Sequence, residues 1–393
     1  MPCFVAYIFL LLSYLFLVNG IWSKYALVGR DRDTQGSTGH VPFVKISQLY
    51  NNGPNLNVSS YFGCSVANMG DLDGDGINDL AVGARGETGK LHGVVQLGLG
   101  SVYILFLNAD LSVKNYTKIS GGINGGPVLQ ANSQFGYSLA NIGDLDGDGI
   151  NDLCVGAPGT PVPSAFVLFM TRTGRPKNVV LIRGEYRTLP GLLNQTRVGP
   201  VNVGPNDYTP NGPPVTYLCY FGSTIASIGD FNKDGIPDIA IAAADASGGN
   251  SKIYFLYMFR NGTVNYWSTI AQGYGGGPTF TKSFVNFGSS IALVGDIDGD
   301  GVQEIAIGSQ NDDDNAVPQS GSIFVCFMTP DGRISKYERL SQFGNLNYEW
   351  PSLVSAIIAA SLHEYLNVLF IQNLYIIAVR MWVFRVLTNA ARR

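Results

Sequence analysis

An acidic segment of nine residues occurs four times in the chain and constrains its fold more than any other feature. In each copy, oxygen-bearing side chains stand at positions 1, 3, 5 and 9, and glycine stands at position 6. We name the copies loops 1 to 4, which cover residues 71–79, 144–152, 230–238 and 296–304. A Phe-Gly pair begins nine residues before each loop, so the repeated unit is longer than the loop itself.

The residues around each loop predict two β-hairpins per repeat. A short apolar run follows each loop, as in residues 80–84, and strand, tight turn and strand together indicate a hairpin. A second hairpin follows, as in residues 253–259, which turn at Asn261-Gly262. Four short strands are the content of one propeller blade. The sequence therefore predicts an all-β propeller over residues 25–348, with four clear units and a partial one, and leaves open whether the ring is complete.

Composition agrees with a turn-rich β protein. Glycine accounts for 49 of 393 residues and charged residues for only 14%. Glycine supplies the backbone conformations that tight turns need. The net charge is −4, and the acidic residues concentrate in the four loops. This concentration of acidic residues indicates that the loops bind a small cation.

The loops predict Ca²⁺ sites. Carboxylates at alternating positions of a tight turn face one centre, and the backbone carbonyl at position 7 adds a further oxygen. Ca²⁺ accepts such all-oxygen, irregular sites more readily than Mg²⁺. The alternative, a solvated Asp-Gly turn, is disfavoured because four copies would each crowd like charges without a cation. The predicted ligands are Asp71, Asp73, Asp75, Ile77, Asp79, Asp144, Asp146, Asp148, Ile150, Asp152, Asp230, Asn232, Asp234, Ile236, Asp238, Asp296, Asp298, Asp300, Val302 and Glu304.

Loop 3 departs from the pattern. Asn232 stands at position 3, where the other loops have aspartate, and Lys233 adds a positive charge at position 4. We therefore expect up to four bound Ca²⁺ ions, with the weakest binding in loop 3.

Phe-Gly, the acidic loop and Gly-Ala-Pro (residues 156–158) together resemble the FG-GAP repeats of the integrin α-subunit β-propeller. The resemblance covers residues from about 25 to 345. In that family the loops bind Ca²⁺ on the lower face and stiffen the blades, and partners bind the opposite face. The resemblance thus implies an adhesion or recognition module for an extracellular protein or glycan ligand, with the loops as supports.

The two ends of the chain and its sequons favour export. Residues 1–20 are apolar and end on a small residue, which is typical of a secretory signal, although an N-terminal membrane anchor remains the alternative. The apolar tail, residues 351–393, is interpreted as a helix, a membrane anchor or a sequence that replaces missing blades. We therefore expect a secreted protein or one on the extracellular side of the cell surface. Four sequons predict glycosylation, at Asn57, Asn115, Asn194 and Asn261.

Two classes of function are disfavoured by the sequence. No basic stripe is present, which argues against a nucleic-acid partner. The histidines His40, His92 and His363 stand in no catalytic motif, so we predict that the chain is not an enzyme. Two alternatives stay open. The chain would otherwise be the accessory propeller of a secreted hydrolase, such as a phospholipase D that cleaves glycosylphosphatidylinositol, or a truncated, non-functional product.

Overall fold

The computed structural model describes residues 44–48, 50–91, 94–159, 163–183, 219–245, 251–280, 285–312 and 320–341. The predicted signal segment, the tail (351–393) and Asn194 lie outside these ranges. The described residues form strands and turns and no helix. A helix with the length and apolar character of a membrane span is accordingly not found in the described part.

Eighteen strands are described, and their bounds follow the repeats. They are β1 (Phe62–Gly70), β2 (Asp79–Ala84), β3 (Gly89–Leu91), β4 (Val94–Gln96), β5 (Ser101–Leu107), β6 (Val113–Ser120), β7 (Leu139–Gly143), β8 (Asp152–Ala157), β9 (Ser164–Met170), β10 (Pro176–Arg183), β11 (Cys219–Gly229), β12 (Asp238–Asp245), β13 (Lys252–Met258), β14 (Val264–Ala271), β15 (Phe287–Gly295), β16 (Glu304–Ser309), β17 (Ser322–Met328) and β18 (Ile334–Leu340).

The strands form four antiparallel sheets, one for each repeat. Their orders are β1-β2-β5-β6, β7-β8-β9-β10, β11-β12-β13-β14 and β15-β16-β17-β18, and we name them blades 1 to 4. The short β3–β4 hairpin is inserted between β2 and β5. Every acidic loop joins the first two strands of its blade, as predicted. The all-β fold of four-stranded propeller blades is confirmed.

The chain consists of two compact units. In the smaller unit, which includes Leu107–Asn115, the backbone N–H of Val113 donates to the carbonyl of Asn51 at 3.1 Å. The larger unit holds the rest of the four blades. Its third strand in each blade is buried along the whole length. A strand that is covered on both faces is apolar at successive positions. This explains why apolar and polar residues do not alternate along these strands.

Apolar side chains join neighbouring blades in the larger unit. Ile104 and Phe106 of blade 1 share one cluster with Leu153 and Phe166 of blade 2. A second cluster joins blades 2 and 3, and a third joins blades 3 and 4. Burial of apolar surface between sheets is therefore the main force that holds one blade against the next.

The Phe-Gly and Gly-Ala segments meet at these interfaces. A Cβ added to Gly83 of blade 1 would lie 2.1 Å from the carbonyl oxygen of Gly136 in blade 2. A Cβ on Gly156 would lie equally close, at 2.1 Å, to the carbonyl oxygen of Gly222 in blade 3. A hydroxyl group completes the contact, since Ser138 Oγ donates to the same Gly222 oxygen at 2.8 Å. The two halves of the repeated motif are thus contact partners across successive blades.

This contact predicts that Gly156→Ala destabilises the protein. A methyl group at this position collides with backbone, which cannot move without separating blades 2 and 3. We expect a loss of about 1–3 kcal/mol in the free energy of unfolding, measured by denaturant titration. Gly121→Ala is the matched control, because its added Cβ meets only side-chain atoms at 3.6 Å or more. Equal losses in both variants would contradict the proposed contact.

Candidate metal centre

The aspartate at position 1 shapes each loop through backbone hydrogen bonds. In loop 1, Asp71 Oδ1 accepts from the N–H groups of Gly74 at 2.8 Å and Asp75 at 2.9 Å, and Oδ2 accepts from Gly76 at 2.9 Å. Gly76 has a φ of 88°, a conformation that side chains disfavour. Loop 2 repeats all three hydrogen bonds, and loops 3 and 4 each show two of them. The carboxylate therefore folds the turn around itself.

The acid at position 9 is buried at the base of the loop. Asp152 Oδ1 accepts from the N–H of Met170 at 2.9 Å, and Oδ2 accepts from the N–H of Leu145 at 3.0 Å. Burial raises the pKa of Asp152 to about 7, and also that of Asp238 to about 7. Burial likewise raises the pKa of Glu304. A negative charge here is costly unless a proton or a cation lies beside it.

Three loops bring carboxylate oxygens together. In loop 1 the acids at positions 1, 3 and 9 place one oxygen each within 4.8 Å of the others, and loop 2 does the same. In loop 4 the group consists of positions 1, 3 and 5. Oxygens that share one Ca²⁺ at about 2.3–2.6 Å lie within such distances of each other. The three clusters could therefore hold a metal ion.

Two carboxylate oxygens strengthen this fit. Asp146 Oδ1 and Glu304 Oε1 are buried and have no hydrogen-bond partner among the described residues. A buried acceptor without a partner is costly, and a cation would satisfy it. Both residues belong to the predicted ligand set, at position 3 of loop 2 and position 9 of loop 4. The donor set is thus oxygen-only, acidic and partly unsatisfied, as a hard cation requires.

Loop 3 forms no such cluster of three acids within the described residues. The amide of Asn232 donates to Asp234 Oδ2 at 2.9 Å, so one of the predicted oxygens is engaged by a neighbouring side chain. Lys233 has a φ of 62°, where the other loops have glycine at 80° to 85°. The structure therefore agrees with the sequence in separating loop 3 from the others, and its weaker binding stays a prediction.

Cationic side chains lie beside the loops, and the sequence analysis did not predict them. Lys177 Nζ lies 2.8 Å from Asp146 Oδ2 and also contacts Asp148 Oδ2. This ammonium group lowers the pKa of Asp148. Arg172 lies against Gly74 of loop 1, and Arg260 lies against Gly147 of loop 2. The only signal was a basic residue in the second hairpin of blades 2 and 3, and its approach to a loop depends on blade packing.

Loops 2 and 3 are each anchored in two blade interfaces. The side chain at position 2 of loop 2, Leu145, is buried in the cluster between blades 2 and 3. The side chain at position 7, Ile150, packs against the cluster between blades 1 and 2. Loop 3 repeats this, with Phe231 in the cluster of blades 3 and 4 and Ile236 against that of blades 2 and 3. Ordering of a loop is therefore coupled to both neighbours of its blade.

The described sequon residues are all exposed. Asn261 lies in the turn between β13 and β14, as predicted, whereas Asn115 lies within β6 beside the turn. Asn57 uses its side-chain amide to donate to Thr88 Oγ1 at 2.7 Å. Glycosylation at these positions stays a prediction.

Four-stranded antiparallel blades, joined through Phe-Gly and Gly-Ala contacts and carrying acidic loops at one end, define a β-propeller repeat protein. The FG-GAP repeat family model matches residues 65–105, 135–166, 221–256 and 287–326. The four matches coincide with the four blades. The chain is an FG-GAP repeat protein, and it resembles integrin α-subunits.

Known relatives agree with this assignment. The chain is 31% identical over 256 residues to Integrin alpha-5 of Xenopus laevis, covering 64% of this chain and 20% of the relative. It is 29% identical over 257 residues to Integrin alpha-V of Gallus gallus, covering 64% and 20%. It is also 31% identical over 184 residues to Phosphatidylinositol-glycan-specific phospholipase D of Rattus norvegicus, covering 45% and 18%. The matches thus span about a fifth of each relative's length.

The contact of Lys177 predicts a test of loop 2. Lys177→Met removes an ammonium group that competes with a cation for Asp146 and Asp148. We expect Ca²⁺ affinity at this loop to rise about two- to fivefold in calorimetric titration, since partly exposed ion pairs contribute about 0.2–1 kcal/mol. Lys336→Met is the matched control, because Lys336 Nζ lies 3.9 Å from Asp298 Oδ2 and is more exposed. A larger gain in the control would refute the competition.

Proposed function

We propose that this chain is an extracellular, Ca²⁺-stabilised FG-GAP propeller that recognises a protein or glycan ligand in cell adhesion or a related process. The observation that carries the proposal is the placement of the loops. Loops 1, 2 and 4 each gather acidic oxygens, and loops 2 and 3 each anchor their positions 2 and 7 in apolar clusters between blades. A cation bound there would hold neighbouring blades in one arrangement and so present a stiff surface to a partner.

Ca²⁺ is the proposed occupant because the donors are oxygens alone. The proposed ligands are the acids and Asn232 at positions 1, 3, 5 and 9, with the backbone carbonyl at position 7. Ca²⁺ tolerates six to eight oxygens in irregular geometry, whereas Mg²⁺ demands a near-ideal octahedron. The differing carboxylate groupings of loops 1 and 4 suit the more tolerant ion.

The proposed role is not enzymatic. Repetition of one acidic loop in four blades is expected of a structural metal site, because a catalytic metal needs only one. The similarity to a phospholipase D supports the second candidate, an accessory propeller of a secreted hydrolase. Incubation of the full chain with a phosphatidylinositol-glycan substrate tests for activity of the chain itself: we expect no cleavage, and release of the lipid would contradict the proposed non-enzymatic role.

Removal of Ca²⁺ is the direct test. A ligand that binds only the folded state stabilises it by RT ln(1 + [L]/Kd), which is about 2.7 kcal/mol at a hundredfold excess over Kd. We expect a chelator to lower the melting temperature by several degrees, and added Ca²⁺ to restore it. Added Mg²⁺ at the same concentration should restore less. A melting curve that the chelator leaves unchanged would refute the metal assignment.

A matched pair of variants tests the ranking of the loops. Asp73→Asn gives loop 1 the position-3 residue of loop 3, and Asn232→Asp does the reverse. We expect the first to reduce the Ca²⁺-dependent rise in melting temperature and the second to increase it, because one ligand charge is lost or gained. In chelator the two variants should differ little from each other. If Asp73→Asn increased the Ca²⁺-dependent rise in melting temperature and Asn232→Asp reduced it, the ranking of the loops would be overturned.

A further inference from the structure

Arg85 is held between aromatic rings at the blade end opposite the acidic loops. Its Cζ lies 4.9 Å from the ring centroid of Tyr61 and 4.8 Å from that of Tyr137. Both contacts are cation–π interactions, which fix the position of the guanidinium group. β1 and β2 both contact loop 1 at one end, and Tyr61 and Arg85 flank these strands at the other. Tyr137 comes from the start of blade 2, so the group lies where two blades meet.

Arg85 and Tyr137 differ from their counterparts in the other blades, whereas Tyr61 has Tyr220 as its counterpart in blade 3. Arg85 stands where blade 2 has Pro158 after Gly-Ala. Tyr137 follows Phe-Gly, where blades 3 and 4 have serine. Tyr61 has a φ of 53°, a conformation that the residue before Phe-Gly also adopts in blades 2 and 4. A bulky aromatic residue is poorly suited to that conformation. The repeat therefore does not dictate an arginine at position 85 or a tyrosine at position 137.

The guanidinium edge has no described partner. No hydrogen bond or ion pair joins Arg85 to another described residue, although the side chain is half-buried. The acid nearest in sequence, Glu87, is buried and instead accepts from Tyr103 and Lys118. An arginine that is held by aromatic rings offers a rigid fork of N–H donors, which matches a carboxylate with two parallel hydrogen bonds.

We propose that Arg85, held by Tyr61 and Tyr137, is a recognition site for an aspartate or glutamate side chain of a protein partner. The proposal deepens the recognition role given above and rests on it. A protein partner is favoured over a charged glycan because the surroundings are apolar as well as cationic. Tyr61 is 59% exposed and Val58, on the same segment, is 92% exposed. Tyrosine and arginine are the residues that dominate binding energy at protein interfaces.

The test measures binding of a monovalent acidic peptide to the full chain in Ca²⁺. The probe is a fluorescein-labelled glycine-rich peptide with one glutamate, compared with the same peptide carrying glutamine, and with 3′-sialyllactose as a competitor. Arg85→Pro restores the residue of blade 2, Arg85→Lys keeps the charge without the fork, and Tyr137→Ser restores the residue of blades 3 and 4. Arg333→Gln, an exposed arginine in the β17–β18 turn, is the charge control.

We expect Arg85→Pro to weaken glutamate-peptide binding about tenfold or more, since hydrogen bonds to charged groups contribute about 1.5–3 kcal/mol. Arg85→Lys and Tyr137→Ser should weaken it severalfold, and Arg333→Gln should leave it unchanged. Equal binding of the glutamate and glutamine peptides, or of wild type and Arg85→Lys, would overturn the site. Binding of sialyllactose alone, dependent on Arg85, would overturn the choice of a protein partner.

Melting curves of the same samples, with and without chelator, keep this proposal separate from the one on which it rests. Variants that melt as the wild type does and retain the Ca²⁺-dependent shift are folded, so a loss of peptide binding then reports on the site itself. A missing Ca²⁺ shift in the wild type contradicts the stabilised propeller. A normal shift without Arg85-dependent binding contradicts only the carboxylate site.

Discussion

The double anchoring of loops 2 and 3 is the constraint on which the rest of the structure depends. Leu145 and Ile150 belong to one nine-residue loop, yet they pack in the interfaces on opposite sides of blade 2. The buried carboxylate of Asp152 adds a third anchor, because it accepts from the N–H of Met170 at the end of the third strand. A change in the loop therefore reaches three strands and two interfaces. This is why charge compensation in so small a segment bears on the stability of the whole array.

A second constraint is the close approach of backbones between blades. Phe-Gly of one blade and Gly-Ala of the preceding blade leave no room for a Cβ at Gly83 or Gly156. The interface of blades 3 and 4 is an instructive exception, because Ala242 stands at the equivalent position. There, a Cβ on Gly288 would meet Ala242 Cβ at 3.2 Å rather than a backbone oxygen. The repeat thus tolerates a methyl group where the two backbones stand farther apart.

The sequence predicted those features that depend on neighbouring residues in the chain. The run 253–259 corresponds to β13 (Lys252–Met258), and the turn at Asn261-Gly262 joins β13 to β14, because turn chemistry and apolar runs act locally. The β3–β4 hairpin was missed, since strands of three residues give almost no pattern. Lys177 was missed for a different reason. Its contact with Asp146 spans about thirty residues and depends on the register of two strands, which no local pattern encodes.

The two ends of the blades solve opposite electrostatic problems. At the loop end, carboxylates crowd together, and the cations beside them include side chains of the following blade, such as Arg172 against loop 1. Charge balance there is therefore shared across blade interfaces, and a bound cation would relieve the same repulsion more fully. At the other end the imbalance has the opposite sign, because Arg85 is held by aromatic rings and by no acid among the described residues. At one end the carboxylate charges are compensated within the protein, and at the other the charge of Arg85 is not. This is what a protein needs if one face is to be stabilised and the opposite face is to bind a partner.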